Sequence, residues 1–177
     1  MAFRNLKNIL TRLLNEISDL TITDLSTLTE KRALEYLNRI DLSKLYTIKI
    51  LKTAVKHPSN KVIIKGITVL KQIRTIDSKK AICAALNSKE LCVVLEAIEA
   101  LKLFTNHNVE KLLASCLLRK NKQVATAALW ALAEIKTPEA LIAIENVLEG
   151  NDEELAKTAL WILKGNRSYK SAKKLRA

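Results

Sequence analysis

The chain has 177 residues, of which 49% are hydrophobic and 27% charged, enough to fold as one domain around a buried core. Glycine (3) and proline (2) are scarce and aromatic residues reach only 4%, which excludes turn-rich β-sandwiches and barrels and any glycine-rich phosphate loop. The net charge of +12 is uneven, because residues 41–80 carry +8, residues 161–177 carry +6 and residues 121–160 carry −4.

The first predicted element is an amphipathic helix within residues 1–28, which would cap the structure that follows. Its apolar side chains recur every three or four residues: Leu6, Ile9, Leu10, Leu13, Leu14 and Ile17. Charged residues interrupt this stretch, so it lacks the apolar core of a signal peptide, and no run of 18 apolar residues occurs anywhere. We therefore expect a cytoplasmic protein that does not bind membranes.

A period of 31 residues organises residues 29–165. Apolar rows recur at this period, and within each copy they keep the three- and four-residue spacing of one helix face. The row with the smallest side chains, where two helices could approach closely, is Gly66, Ala97, Ala128 and Ala159. A row in the other half of each copy is Leu51, Ile82, Leu113 and Ile144. Each copy is therefore predicted to be a helical hairpin.

This periodicity predicts the helices in chain order. The first helices are expected near 29–40, 60–73, 91–104, 122–135 and 153–164. The second helices are expected near 44–56, 78–87, 109–118 and 138–149. Thr137 and Pro138 are typical of a helix start, and Gly150 is expected to end a helix in the left-handed conformation before Asp152 caps the next one. Residues 166–177 are expected to be a basic tail or a short capping helix.

Two stretches of the fourth copy, VATAALWALAEI (124–135) and TPEAL (137–141), resemble HEAT repeats of the short form found in phycobilin lyases. The resemblance extends over residues 29–165 and is most specific in 122–165. It implies an all-α fold, a right-handed α-solenoid of antiparallel helical hairpins (an armadillo-like superhelix) with the second helices on the concave side. The short form usually has an arginine after the valine that opens the first helix, where this chain has Ile63, Val94, Ala125 and Ala156. The stack is therefore expected to rely on apolar contacts.

Residues that could perform catalysis or hold a metal are few and scattered. His57 and His107 lie beside predicted turns without metal-ligand spacing, so helix-cap or surface roles are expected. Trp130 and Trp161 are 31 residues apart and are expected to pack in the core or a groove. The cysteines lack CxxC spacing and are expected to be small buried side chains in a reducing compartment: Cys83, Cys92 and Cys116. We therefore predict no catalytic residue, metal or cofactor, and a lyase or chaperone role would rest on the family name alone.

Lysines on the solvent side of the second helices are the predicted binding residues. Opposite the core-facing rows, helix geometry places Lys49, Lys80 and Lys111, with Lys52 and Lys56 near the first of them. The three lysines at the repeat period lie early in their helices, where the helix dipole disfavours a cation. A second basic row follows the ends of the first helices, where the dipole itself favours cations: Lys71, Arg74, Lys102, Lys164 and Arg167.

These patterns leave two functions open. The leading hypothesis is a non-catalytic scaffold or adaptor that holds a protein partner, expected to be acidic, on its concave surface. The alternative is a protein that contacts the phosphates of DNA or RNA through the concave lysines and the basic tail. Few exposed arginines and aromatic residues are expected, which counts against reading of base edges or stacking on single strands.

Overall fold

The computed structural model describes residues 24–43, 47–104 and 108–165. Every regular element within these ranges is helical, which confirms the all-α prediction. The α-helices in these ranges are α1 (Glu30–Arg39), α2 (Thr47–Ala54), α3 (Asn60–Ile73), α4 (Ile76–Ala85), α5 (Leu91–Leu101), α6 (Val109–Leu117), α7 (Lys122–Ile135), α8 (Pro138–Asn146) and α9 (Glu153–Gly165). Single 3-10 turns occupy Leu25–Thr27 and Val147–Glu149. The predicted capping helix at residues 6–17, His107, Arg167 and the rest of segment 166–177 lie outside the described residues.

Local sequence sets the ends of these helices. Thr137 caps α8 by accepting a hydrogen bond from the Ala140 backbone N–H (3.3 Å), and Pro138 opens that helix, both as predicted. Asp152 also caps α9 as predicted, through the Leu155 backbone N–H (3.1 Å). The prediction for Gly150 is wrong, because its backbone is extended and its N–H already bonds the Val147 carbonyl that closes the 3-10 turn.

Left-handed residues instead end two of the first helices. Arg74 follows α3 with φ of 53°, and Lys136 follows α7 with φ of 58°. These two residues are two repeat periods apart, so the same turn recurs in alternate copies. Neither residue type favours positive φ, and their side chains gave no signal for this turn.

The helices form two layers with the apolar core between them. Each first helix packs on the next, from α1 through α3, α5 and α7 to α9, while among the second helices α2 packs on α4 and α6 on α8. The apolar residues that recur every 31 positions form the core between the layers. The row Leu70, Leu101, Leu132 and Leu163 is completely buried.

The smallest residues of the repeat lie where α2 and α3 approach closely. A Cβ atom added at Gly66 would lie 2.8 Å from the Cβ of Ala54, shorter than a van der Waals contact. Ala97, Ala128 and Ala159, which take the same position in later copies, are fully buried. The sequence prediction of a close helix contact is confirmed at Gly66.

We expect the substitution Gly66→Ala to destabilise the protein although alanine is the better helix former. The helix preference contributes about 1 kcal/mol in favour of alanine, whereas overpacking costs about 1–3 kcal/mol. Urea denaturation of Gly66→Ala, Ala54→Gly and the double variant measures the coupling, and the double variant is expected to recover the loss. Gly165→Ala is the control, since a Cβ there meets no atom within 4 Å. Equal effects at Gly66 and Gly165 would contradict the close approach.

Ion pairs connect neighbouring copies in addition to the apolar contacts on which the stack was expected to rely. Lys71 of α3 pairs with Glu96 of α5 (Nζ to Oε1, 3.2 Å), and Lys102 after α5 pairs with Glu134 of α7 (Nζ to Oε2, 2.7 Å). Further pairs join Glu30 to Lys61 and Lys122 to Glu154. Arg119 Nη1 donates to the Leu86 carbonyl (2.6 Å). Each exposed pair contributes about 0–1 kcal/mol, so the core still dominates stability.

Glu30 makes one of these connections pH-dependent. Its Oε2 accepts a hydrogen bond from Ser59 Oγ (2.7 Å), and its Oε1 lies 3.3 Å from Lys61 Nζ. The Ser59 hydrogen bond, followed by the Lys61 interaction, lowers the pKa of Glu30 below its usual value. Because the folded-state pKa is depressed, this stabilisation is complete above the unfolded-state pKa and is lost as pH falls through the folded-state value.

We therefore expect Glu30→Gln to lower the free energy of unfolding at pH 7, with the difference from the wild type shrinking as pH falls below about 4. Denaturant titrations at several pH values between 7 and 2.5 (roughly the range over which a carboxyl titrates) measure this difference. Glu35→Gln is the control, because it removes an exposed carboxylate from the same helix without these hydrogen bonds. A difference that stays constant with pH would contradict the assignment.

Candidate interaction surface

The five lysines predicted on the second helices are all exposed: Lys49, Lys52, Lys56, Lys80 and Lys111. Three of them take the same position in successive second helices and are called the lysine row, namely Lys49 in α2, Lys80 in α4 and Lys111 in α6. None of these three forms an ion pair with another residue in the described part of the chain. Their charges are therefore open to a ligand on this side of the described structure.

Lys52 and Lys56 differ from the lysine row because carboxylates lie near them. Lys52 Nζ lies 3.2 Å from Asp77 Oδ1 and so connects α2 with α4. Lys56 adds a smaller contribution to the lowered pKa of Asp24, which is caused mainly by hydrogen bonds from Ser26. These two lysines are partly neutralised within the protein.

The segment that precedes α1 packs against α2, a contact that the sequence pattern did not predict. Leu25 is completely buried, and its backbone N–H donates to Thr53 Oγ1 (2.7 Å). His57 is buried, which contradicts the surface alternative, and it bonds the backbone of Ser59, the N-cap residue of α3, which agrees with the helix-cap alternative. Its Nε2 lies 2.9 Å from the Leu28 carbonyl, and its Nδ1 accepts from the Ser59 backbone N–H (2.9 Å). This histidine has a structural role in tying the segment to the first hairpin.

The described members of the second basic row fall into two groups, those that form ion pairs with glutamates and those that are exposed at helix ends. Lys71 and Lys102 form the ion pairs between copies described above, and hydrogen bonds to Glu134 and Glu99 raise the pKa of Lys102. Arg74 and Lys164 are exposed at the ends of α3 and α9. Ion pairing within the protein therefore accounts for Lys71 and Lys102. Ligand binding stays a prediction for the exposed Arg74 and Lys164.

An apolar cleft of about 520 Å³ opens on the second-helix side at the C-terminal end of the array. We call it the apolar cleft. One wall comes from the end of α6, with Ala114 and Leu118, and the other from the end of α8, with Ala143 and Val147. Leu118 is 87% exposed, and small side chains at Ala114 and Ala143 leave the space open. The sequence periodicity indicated that the residues on this face become apolar towards the C-terminal end, but it did not predict a cavity.

The cleft adjoins the lysine row on one side and acidic residues on the other. Ser115, a cleft residue, lies one turn after Lys111 on the same face of α6. In α8 the lysine-row position is occupied by Ile142, which is exposed. Asp152 also lines the cleft, and the exposed Glu149 lies in the 3-10 turn that contributes Val147 to it. The surface therefore changes from basic through apolar to acidic along successive second helices.

The two tryptophans lie on the first-helix layer, away from the lysine row. Trp130 and Trp161 are 42% and 68% exposed, so the core alternative is wrong, whereas Trp130 lines a cleft of about 500 Å³ between α7 and α9, in agreement with the groove alternative. Their rings meet edge to face with centroids 5.6 Å apart. Stacking on each other explains why both occur at the same repeat position.

The cysteines and acidic residues offer no metal site in the described ranges. Cys116 is buried and Cys83 half-buried, and burial raises the pKa of both thiols. Cys92 is exposed, so the expectation of three buried thiols is wrong at that position. No helix in the described part of the chain is both long and apolar enough to cross a membrane.

Comparison with known families gives one match. Residues 124–150 match the family model of the PBS lyase HEAT-like repeat. The matched residues extend from the third residue of α7 through α8 and its 3-10 turn, which together form one complete hairpin. The hairpin is a HEAT-like repeat. The other described hairpins share its 31-residue register, so the array is a helical repeat scaffold suited to protein interaction. None of the curated proteins compared with the chain matches it.

Proposed function

We propose that this protein is a non-catalytic HEAT-like scaffold that binds an acidic protein segment along the lysine row. The observation that carries the proposal is the position of Lys49, Lys80 and Lys111, which lie exposed on one face without an internal counter-charge among the described residues. Lys71 and Lys102 show the contrasting case, since the same chain provides glutamates for them. The second-helix side, predicted to be concave, is the binding surface in this proposal.

Electrostatics supports an anionic ligand for this row. Packed helices lie about 8–10 Å apart, so Lys49 in α2 and Lys80 in α4 fall within roughly one Debye length of each other at physiological salt. Their mutual repulsion costs free energy in the unbound protein. Carboxylates of a partner remove that repulsion and steer the encounter.

A protein partner is favoured over a nucleic acid because the row ends at the apolar cleft. Leu118 and Val147 offer a surface to apolar side chains, which a phosphate backbone does not have. The exposed tryptophans, which could stack on bases, lie on the other layer. Binding of DNA or RNA through phosphates is the second candidate, supported by the net charge of +12 and the lysine row itself.

The test measures binding of fluorescent poly-glutamate, duplex DNA and single-stranded RNA by anisotropy over a salt series. The variant Lys49→Gln, Lys80→Gln, Lys111→Gln is expected to bind poly-glutamate about 5- to 100-fold more weakly than the wild type. The control replaces three exposed lysines outside the second helices, namely Lys31, Lys89 and Lys136, and so removes the same charge. It is expected to bind nearly as the wild type does.

Three outcomes decide between the candidates. Equal losses in the two triple variants would show that net charge alone attracts the ligand, which contradicts a site at the lysine row. Tighter binding of nucleic acid than of poly-glutamate, with a salt slope that falls by about one per removed lysine, would favour the second candidate. Absence of binding to all three probes at low salt would overturn both.

A further inference from the structure

We infer that the bound segment has a fixed layout, in which one bulky apolar side chain fills the apolar cleft and acidic residues continue along the lysine row. This inference rests on the proposed function and adds the chemistry of the partner. The cleft volume of about 520 Å³ lies within the range of small-molecule pockets, so it accepts one large aromatic or aliphatic side chain. Leu118 is 87% exposed, so covering its side chain with an apolar group of the partner removes the largest share of apolar surface from water.

The cleft and the lysine row belong to one continuous surface. Leu118 follows Lys111 by seven residues, and the helical rise places them about 10 Å apart along the axis. Lys80 takes the same position one repeat earlier, in α4, and Lys49 takes it in α2, which packs on α4 at a distance of about 8–10 Å. A single segment that enters the cleft can therefore reach all three lysines.

Spacing along this surface defines the motif. An extended chain advances about 3.3 Å per residue, so the axial distance from Leu118 to Lys111 and the distance between the packed helices α2 and α4 each correspond to roughly three residues. The partner therefore carries an apolar anchor followed by acidic residues at intervals of about three. A segment of about twelve residues covers the distance from the cleft to Lys49.

The charges around the cleft set the direction of the acidic residues. Asp152 lines the cleft, and the exposed Glu149 lies in the 3-10 turn after α8, the second helix that carries no lysine of the row. Carboxylates of the partner are repelled there and attracted towards Lys111. The acidic residues therefore lie on the side of the anchor that runs towards α2.

The experiment uses synthetic peptides of about twelve residues with tryptophan at one end and glutamate at every third position. Both chain directions are made, together with the same peptides carrying serine in place of tryptophan. Isothermal titration measures each with the full chain. We expect tryptophan to strengthen binding about tenfold or more in at least one direction.

Variants of the protein separate the contribution of the apolar anchor to peptide binding from that of the lysine row. Leu118→Ser removes the most exposed wall residue, and Ala143→Leu fills the cleft; each is expected to bring the tryptophan-to-serine affinity ratio close to one. Leu160→Ser is the matched control, because this exposed leucine of α9 does not line the cleft, and it is expected to keep the ratio. The triple lysine variant is expected to weaken both peptides alike. Thermal melts by circular dichroism check that every variant is folded.

Two results would overturn the inference. The first is no gain from tryptophan in either direction, and the second is a gain that persists in both Leu118→Ser and Ala143→Leu. If the serine peptides still bind and still depend on the lysine row, the proposed function stands without the anchor. If no acidic peptide binds at low salt, the proposed function fails as well.

Discussion

Replacing Leu113 by alanine is expected to lower the free energy of unfolding by about 2–5 kcal/mol. Leu113 lies in α6 with no exposed surface, in the core-facing row that the 31-residue period predicted. Its side chain contributes apolar burial, and the rigid neighbouring helices cannot close the cavity that alanine would leave. Urea denaturation followed by far-ultraviolet circular dichroism measures the loss.

Leu118→Ala provides the internal control for this prediction. Leu118 follows the same helix but is 87% exposed, so its truncation is expected to change stability by less than about 0.5 kcal/mol. Similar losses at the two positions would contradict the assignment of Leu113 to the core and Leu118 to an open surface. The denaturant slope is compared as well, because repeat arrays can unfold in parts.

The residues that were predicted correctly are those whose position depends on the repeat period. The buried leucine row and the close contact at Gly66 follow from apolar and small residues that recur every 31 positions. Periodicity fixes which face of a helix is buried, and the burial of apolar surface contributes most of the free energy that favours folding. The helix bounds followed from the same pattern, within a few residues of the observed ones.

The errors concern residues whose position depends on contacts between particular side chains. Trp130 and Trp161 were assigned to the core or a groove from their shared repeat position, and the core alternative is wrong, since the equivalent residue one period earlier is the exposed Glu99. That acidic residue was an available signal of a surface position. Gly150 was assigned a left-handed turn on residue type, whereas the 3-10 turn before it already uses the hydrogen bond.

Binding residues were predictable only in part, because the sequence separation of ion-paired residues on different helices varies, and only Glu30–Lys61 among the pairs described above matches the 31-residue period. Lys52–Asp77 and Lys71–Glu96 each join residues 25 positions apart, a separation set by how the helices pack. A row of lysines in the sequence therefore does not reveal which members are neutralised. The apolar cleft was missed for a similar reason, since it depends on the small side chains of Ala114 and Ala143 facing each other.

Removing the imidazole of His57 is expected to destabilise the first hairpin by about 2–4 kcal/mol. Nδ1 accepts from the Ser59 backbone N–H, so the ring hydrogen is on Nε2, which donates to the Leu28 carbonyl. His57→Ala leaves both backbone groups without this partner in a site where the side chain is only 4% exposed. Denaturant titration measures the loss, and hydrogen exchange at the Ser59 amide is expected to become faster.

Two further variants distinguish the hydrogen bonds from the packing of the ring. Asparagine at position 57 can accept from the Ser59 amide but is too short to reach the Leu28 carbonyl, whereas His57→Gln can reach that carbonyl. Each is therefore expected to recover part of the loss, and only His57→Asn is expected to restore slow exchange at Ser59. If alanine, asparagine and glutamine gave equal losses, the ring would act through its volume, and the link between segment 24–28 and the turn before α3 would need another explanation.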